Sequence, residues 1–414
     1  MNQLLESAYG ERFLLQHAQS ILDFGRKSIS PLGGFGYLDG VGDIDASKPR
    51  ETYEQCRFTQ VYGLAHLMGF GDYTKQIEEG LRAINELVRD KANGGYFSAI
   101  GADGQPVTTE KLCYDHAFVL LAAAMGKACG ITAADETFEH IDSILDKFFW
   151  DDEYKMMKNH YDNSFSTLDP YRGINANMHT VEAYLAAYDV TGDKKYFNRA
   201  YAISKRAIND LAKGNPKGKW FLPEHFDALW VPDLDFNKDH PADPFRPYGV
   251  TIGHLLEWSR LLLHLHHGLE GAEHEWMIEG ALGLFEASKK YGWAPDGGDG
   301  FVYTIDWDGS VVTSSRMWWV PAEAVLTAYC LYQETGEDQY LQNYLTWWTY
   351  IDEKFIDHKN GLWFAELDKN HKLVAHTWPG KPDLYHIFQA AILPLLPEAR
   401  SFVGSALKGL KKTS

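Results

Sequence analysis

Asn177-Met178-His179-Thr180-Val181-Glu182-Ala183-Tyr184-Leu185-Ala186-Ala187-Tyr188-Asp189-Val190 reads as a helix that is apolar on nearly every side. A helix without a polar face has to be enclosed by other elements. This one nevertheless opens with an imidazole and a carboxylate three residues apart, which would be costly in a core unless the helix start borders water. Five further stretches repeat the pattern and are rich in Ala and Leu: 56–68, 114–129, 251–267, 321–335 and 384–396. Working outward, an amphipathic helix with apolar residues at three- and four-residue intervals precedes each of the six, at 11–28, 72–89, 136–149, 194–213, 274–291 and 337–355. Between the members of each pair lies a glycine-and-aromatic turn: Gly33-Gly34-Phe35-Gly36-Tyr37, Gly94-Gly95-Tyr96-Phe97, Gly218-Lys219-Trp220-Phe221, Gly298-Asp299-Gly300-Phe301 and Gly361-Leu362-Trp363-Phe364, with a weaker cousin at Trp150-Asp151-Asp152-Glu153-Tyr154. Two turns continue as short alternating strands around Asp103-Gly104 and Asp308-Gly309 and read as hairpins.

Six enclosed helices inside six amphipathic ones predict an all-α fold, an (α/α)6 barrel with short β-hairpins in the connecting loops. The repeat makes this one domain over 1–414, although length alone suggests two or three. A superhelical solenoid is the alternative, but it has no need to bury its inner helices on every side. No Pro- or Ser-rich linker interrupts the chain, and the short basic run at 408–412 reads as a solvated tail.

A formal net charge of −18 excludes nucleic acid and anionic membrane as partners, since both need a basic face. No signal-peptide pattern and no apolar run of about 20 residues is present, so a cytoplasmic protein is expected. Cys56, Cys113, Cys129 and Cys330 sit among apolar neighbours without a C-x-x-C pair and read as buried thiols. Aromatic residues make up 14% of the chain, and rings that are not core stack on the C–H faces of sugars.

The starts of the six inner helices carry, in order, Arg57, Tyr114 with Asp115, His179, His254, Trp319 with Glu323, and His386, at intervals of 57, 65, 75, 65 and 67 residues. Corresponding places in a closed barrel converge at one end, so these groups are expected to line one water-accessible pit. His179 and His254 each have a glutamate three residues on, Glu182 and Glu257, placed to accept a ring N–H and set the tautomer. Such pairs suit general acid/base catalysis. A metal site is the first rival, but Arg57 in the same pit repels a cation, and no His-Glu-x-x-His or cysteine cluster supports one. A glycoside hydrolase needs two carboxylates facing each other, whereas Glu182 and Glu257 are cast as orienters. A non-catalytic sugar-binding protein does not need three convergent histidines.

The motifs Cys56-Arg57-Phe58-Thr59-Gln60, Tyr114-Asp115-His116-Ala117-Phe118, Asn175-x-Asn177-Met-His179-x-x-Glu182, Gly253-His254-x-x-Glu257-Trp258, Trp318-Trp319-x-x-x-Glu323-Ala324 and Tyr385-His386 together resemble the N-acylglucosamine 2-epimerase superfamily. Phe245-Arg246-Pro247-Tyr248-Gly249-Val250 looks like its aldose–ketose isomerase branch, whose members act on mannose or sulfoquinovose. The resemblance implies a metal-free, cofactor-free barrel that interconverts D-mannose and D-fructose through a cis-enediol, as a monomer or homodimer. It makes His254 and His386 the acid/base pair, with His179 assisting ring opening and Glu257 supporting His254. It assigns Arg57, Tyr114, Asn177 and Trp319 to sugar binding, and Asp115 and Glu323 belong to the same candidate set. Sulfoquinovose isomerisation, and 2-epimerisation of mannose, cellobiose or an N-acylhexosamine, are the alternatives that the spacing leaves open.

Overall fold

The computed structural model describes residues 2–410, so part of the basic run at 408–412 lies outside the described residues. After a short α1 (Asn2–Leu5), the helices are α2 (Glu11–Phe24), α3 (Thr52–Leu67), α4 (Thr74–Glu86), α5 (Cys113–Ala128), α6 (Ala133–Ile144) and α7 (Ile174–Thr191). They continue with α8 (Lys194–Ser204), α9 (Ile252–His266), α10 (Glu275–Gly292), α11 (Trp319–Thr335), α12 (Asp338–Tyr350), α13 (Tyr385–Ile392) and α14 (Phe402–Leu407). Three outer helices, α6, α8 and α12, run on through widened π-helical turns at Leu145–Phe149, Lys205–Ala212 and Ile351–Phe355, which is why their apolar periodicity extends past the α-helical ends.

Burial separates the two layers. Every residue of α9 from Ile252 to Leu265 is buried, whereas α4 buries one stripe, Ile77, Gly80, Leu81, Ala83 and Ile84. Each large aliphatic side chain so enclosed contributes about 2 kcal/mol of transfer free energy. The inner helices α3, α5, α7, α9, α11 and α13 each pack on the next, and α13 returns to α3. Outer helices α4, α6, α8, α10 and α12 pack on the inner helix that precedes them, and α2 packs on α13. The first outer helix therefore covers the last inner one. That contact closes the ring and makes the fold an (α/α)6 barrel rather than a solenoid.

At α13 the Asp383 side chain accepts from Tyr385 N at 2.7 Å, but α3, α5, α7, α9 and α11 start without side-chain caps. Instead, the backbone N–H at each start donates to a carbonyl in the following turn: Thr52 to Ser98 (2.9 Å), Cys113 to Asn159 (2.8 Å), Ile174 to Glu224 (3.0 Å), Ile252 to Tyr303 (3.1 Å) and Trp318 to Ala365 (3.2 Å). These bonds satisfy donors that a helix start otherwise leaves orphaned. Just before each start a two-residue strand pairs antiparallel with that same turn, as Arg50–Glu51 does with Ala99–Ile100 and Val250–Thr251 with Thr304–Ile305. Neighbouring units are thus laced together at one end of the barrel, and the helix starts there are held in register. The opposite end is closed by α14, which packs across α3, α5 and α7.

Candidate active site

At the laced end the inner-helix starts surround an open hollow of about 570 Å³. Its wall includes Tyr53, Glu54, Arg57, Tyr114, Asn175, His179, His254, Glu257, Trp318, Trp319, Asp383 and His386. Residues separated by more than 300 positions in sequence meet here, as in the ion pair from Arg57 Nη1 to Asp383 Oδ2 at 2.8 Å.

The two principal histidines flank one indole. Ring centroids of His254 and His386 lie 5.3 Å and 6.0 Å from Trp319. Gly253 makes this possible: a Cβ there would stand 2.1 Å from the Trp319 ring. Each imidazole is backed by a carboxylate, since His254 Nδ1 lies 2.9 Å from Glu224 Oε1 and His386 Nδ1 lies 2.8 Å from Glu323 Oε1. A carboxylate accepts, so Nδ1 carries the proton and Nε2 keeps the lone pair needed to act as a base.

Behind this dyad sits a fully buried charge cluster. Arg260 Nε donates to Glu323 Oε2 at 2.8 Å, and Arg260 Nη2 lies 3.6 Å from Glu257 Oε1. Burial works against ionisation of Glu323, but Arg260 and His386 outweigh it and hold this carboxyl below its usual range. Burial, with the charge of Glu323 beside it, pushes Glu257 well above the usual range. The two carboxyls that share the guanidinium are thus shifted in opposite directions. His179 is pushed down to about 4 by burial, against the pull of Glu182, and is neutral near pH 7. Although burial raises Glu182, its closeness to His179 (3.6 Å), the charge of Arg260 and the Tyr385 hydroxyl bring it down to about 2.

His179, Glu182 and Glu257, and likewise Glu257, Glu323 and His386, place ligand-type atoms within 4.8 Å of one another. Arg260 already supplies the positive charge among these carboxylates, so the donor sets do not fit a cation without its displacement.

The geometry corrects several assignments made from spacing and from the resemblance. His254 is oriented by Glu224 rather than Glu257, because Glu257 lies one turn deeper, near Arg260 and 3.8 Å from His179 Nδ1. Glu323 does not line the hollow but backs His386. Asn177 is fully buried, accepting from Met157 N (2.7 Å) and donating to Gly173 O (2.9 Å). Gln55 and His116, in the same register of α3 and α5, likewise bond the backbone of Phe35 and Tyr96, so this position anchors a turn; Asn175 faces the hollow instead. Asp115 borders a second cavity of about 1260 Å³ behind Tyr53, Tyr114 and Phe245, and burial raises its carboxyl to about 8.

Counting from the backbone-capped starts also shows that the six positions read as equivalent are not in one register. Tyr114 and Trp319 are one residue beyond the start, Asp115 and His254 two, and Arg57, His179, Glu257 and Glu323 five. Two turns of helix therefore face the hollow, with His254 in the first turn of its helix and Arg57 and His179 in the second turn of theirs. Glu224 and Arg260 escaped sequence reasoning. Glu224 follows the left-handed turn residue Trp220 by four positions, much as Ser98 and Tyr303 follow the positive-φ Gly95 and Gly300 by three, and Arg260 is a lone charge within the all-buried α9.

The model of the N-acylglucosamine 2-epimerase (GlcNAc 2-epimerase) family matches residues 33–390. The chain is similar to a D-mannose isomerase of Thermobifida fusca, 41% identical over 94% of this chain and 95% of the relative. It is also similar to a D-mannose isomerase of Pseudomonas cannabina pv. alisalensis, 38% identical over 98% and 97% of the two chains. A crystal structure of D-mannose isomerase superposes with a TM-score of 0.87 at 28% identity, covering 94% of this chain and 98% of that one. With a matching family model over most of its length and a full ring of helices around paired histidines, the chain belongs to the N-acylglucosamine 2-epimerase family.

Proposed function

We propose that the protein is an aldose–ketose isomerase that interconverts D-mannose and D-fructose, acting as one domain in the cytoplasm. The observation that carries this reading is the pair of imidazoles, His254 and His386, each backed by a carboxylate and both beside Trp319 at the hollow. Relatives named for the same reaction supply the sugar.

A proton on C2 next to a carbonyl is weakly acidic, so its removal needs both a base and donors for the oxygen that gains charge. One imidazole Nε2 takes the C2 proton as the C1–C2 double bond of the enediol forms, while the other histidine, in its protonated form, gives its Nε2 proton to the oxygen on C1. The first proton then returns to C1 on the same face while the C2 hydroxyl gives its own to the second imidazole, leaving a ketone at C2 and both histidines as they began. His179, neutral and deeper, bonds a hydroxyl or assists opening of the ring. Trp319, Tyr114 and Asn175 hold the carbon chain flat between them.

Two separate bases also suit 2-epimerisation, which returns the proton to C2 from the opposite face. Incubation with D-mannose in heavy water separates the two. The isomerase reading predicts fructose that carries solvent deuterium at C1. Glucose as first product supports the epimerase, and neither product nor exchange rejects both.

A further inference from the structure

Glu54 lies in the first turn of α3, two residues beyond its capped start, the register that His254 occupies in α9. It faces the hollow beside Arg57 and Asp383. It is 2% exposed, and neither carboxyl oxygen makes a well-aligned hydrogen bond in the protein, although the Tyr53 side chain stands near enough to interact. A buried carboxyl of this kind ordinarily has partners. The neighbouring cation does not serve it: Arg57 Nη1 is taken by Asp383 at 2.8 Å and Nη2 by the Tyr114 hydroxyl at 3.1 Å. Burial, followed by the charges of Glu51 and Asp383, pushes the Glu54 carboxyl well above its usual range, tempered by Arg57 and Tyr53.

We propose that Glu54 is a substrate-recognition residue, bonding a sugar hydroxyl at the Arg57–Asp383 wall and restricting the site to uncharged sugars. A carboxylic acid offers one donor and one acceptor, the complement of a hydroxyl or of two adjacent ones. Among the described residues lining the hollow, Arg57 carries the one Lys or Arg charge, and Asp383 already balances it. A sulfonate or phosphate on the sugar would be desolvated there without a free cation. The inference rests on the aldose-isomerase reading and narrows it, favouring mannose over sulfoquinovose.

The test uses the full chain and two readouts. D-Mannitol, an open-chain polyol that cannot turn over, is titrated into wild type, Glu54→Gln and Glu54→Ala, and kcat and KM are measured on D-mannose. Gln presents the same donor and acceptor, so Glu54→Gln keeps mannitol affinity within about threefold, whereas Glu54→Ala loses about five- to tenfold, the worth of one neutral hydrogen bond. KM for mannose follows the affinity while kcat changes by less than about threefold, a split that a loosened fold does not produce. Wild type turns over a C6-sulfonated or 6-phosphorylated aldose at least about 100-fold less efficiently than mannose, as expected where a charge is buried unpaired. Unchanged mannitol affinity in Glu54→Ala, equal losses in both variants, or efficient turnover of the anionic sugar overturns the proposal. Absence of both mannitol binding and mannose turnover in wild type rejects the underlying isomerase reading instead.

Discussion

The two ends of the barrel are built from the same six helices and hold the same residue types, yet they differ in chemistry. At the laced end, His254 and His386 each touch a carboxylate and border an open hollow. At the far end, His264 sits near Cys330 and Phe402 under the α14 plug, and burial, followed by the charge of Arg260, pushes its imidazole down to about 3. All three histidines are on inner helices and all are less than a tenth exposed. His264 borders a pocket too, so what distinguishes the other two is a carboxylate at Nδ1, and a histidine on an enclosed helix becomes a candidate base only with one.

The sharpest way to break this comparison is to remove a histidine from each end. His254→Ala and His386→Ala are expected to lower kcat for mannose isomerisation by at least about 100-fold, the low end for general acid/base groups. His264→Ala leaves kcat within about threefold, since its loss is one of packing. Steady-state kinetics on folded variants checks both, and a His264 variant that is folded but inactive would erase the distinction between the ends.

A smaller effect isolates the orienting carboxylates. Glu224→Gln and Glu323→Gln keep the side-chain shape but weaken the hold on Nδ1–H, and each is expected to lower kcat about tenfold with KM little changed. Glu257→Gln should be milder, because Glu257 holds no imidazole at hydrogen-bond distance, His179 Nδ1 being 3.8 Å away. If Glu257→Gln proves the most damaging of the three, the pairing of His254 with Glu224 is not the functional one.

The smallest effect concerns stability against pH. The folded-state value of His264 lies below the 6.5 of a free imidazole, so the unfolded chain binds the proton first and stability is lost as pH falls from 6.5 toward about 3. His264→Leu lacks this contribution, and its stability relative to wild type is expected to improve by about 1 kcal/mol between pH 7 and pH 5.5 in denaturant titrations. A pH-independent difference would mean that His264 is not held neutral by its surroundings.

The barrel was legible because its signal is large: a helix such as α9, enclosed from Ile252 to Leu265, has no other architecture to belong to once the pattern recurs six times. The convergence of the helix starts followed from the same repeat, whereas the pairing of His254 with His386 came from the family resemblance. Register within each start was not legible, because it is set by backbone bonds such as Ile174 N to Glu224 O rather than by any side chain. Asn177 was misplaced for that reason, one turn of α7 aiming it at the Met157 backbone and the hollow-facing position falling to Asn175. Glu224 was hidden because its partner, His254, is 30 residues away on another element. Three-residue helical spacing suggested Glu257 instead, a local rule that the geometry across helices overrode.

The account rests on His254 and His386 acting on one substrate beside Trp319. A crystal structure with D-mannitol bound tests this most directly. The C1–C2 edge of the polyol is predicted to lie between the two imidazoles, within hydrogen-bond reach of at least one Nε2. Mannitol seated only in the second cavity behind Phe245, or with its C1–C2 edge turned away from both rings, would contradict it.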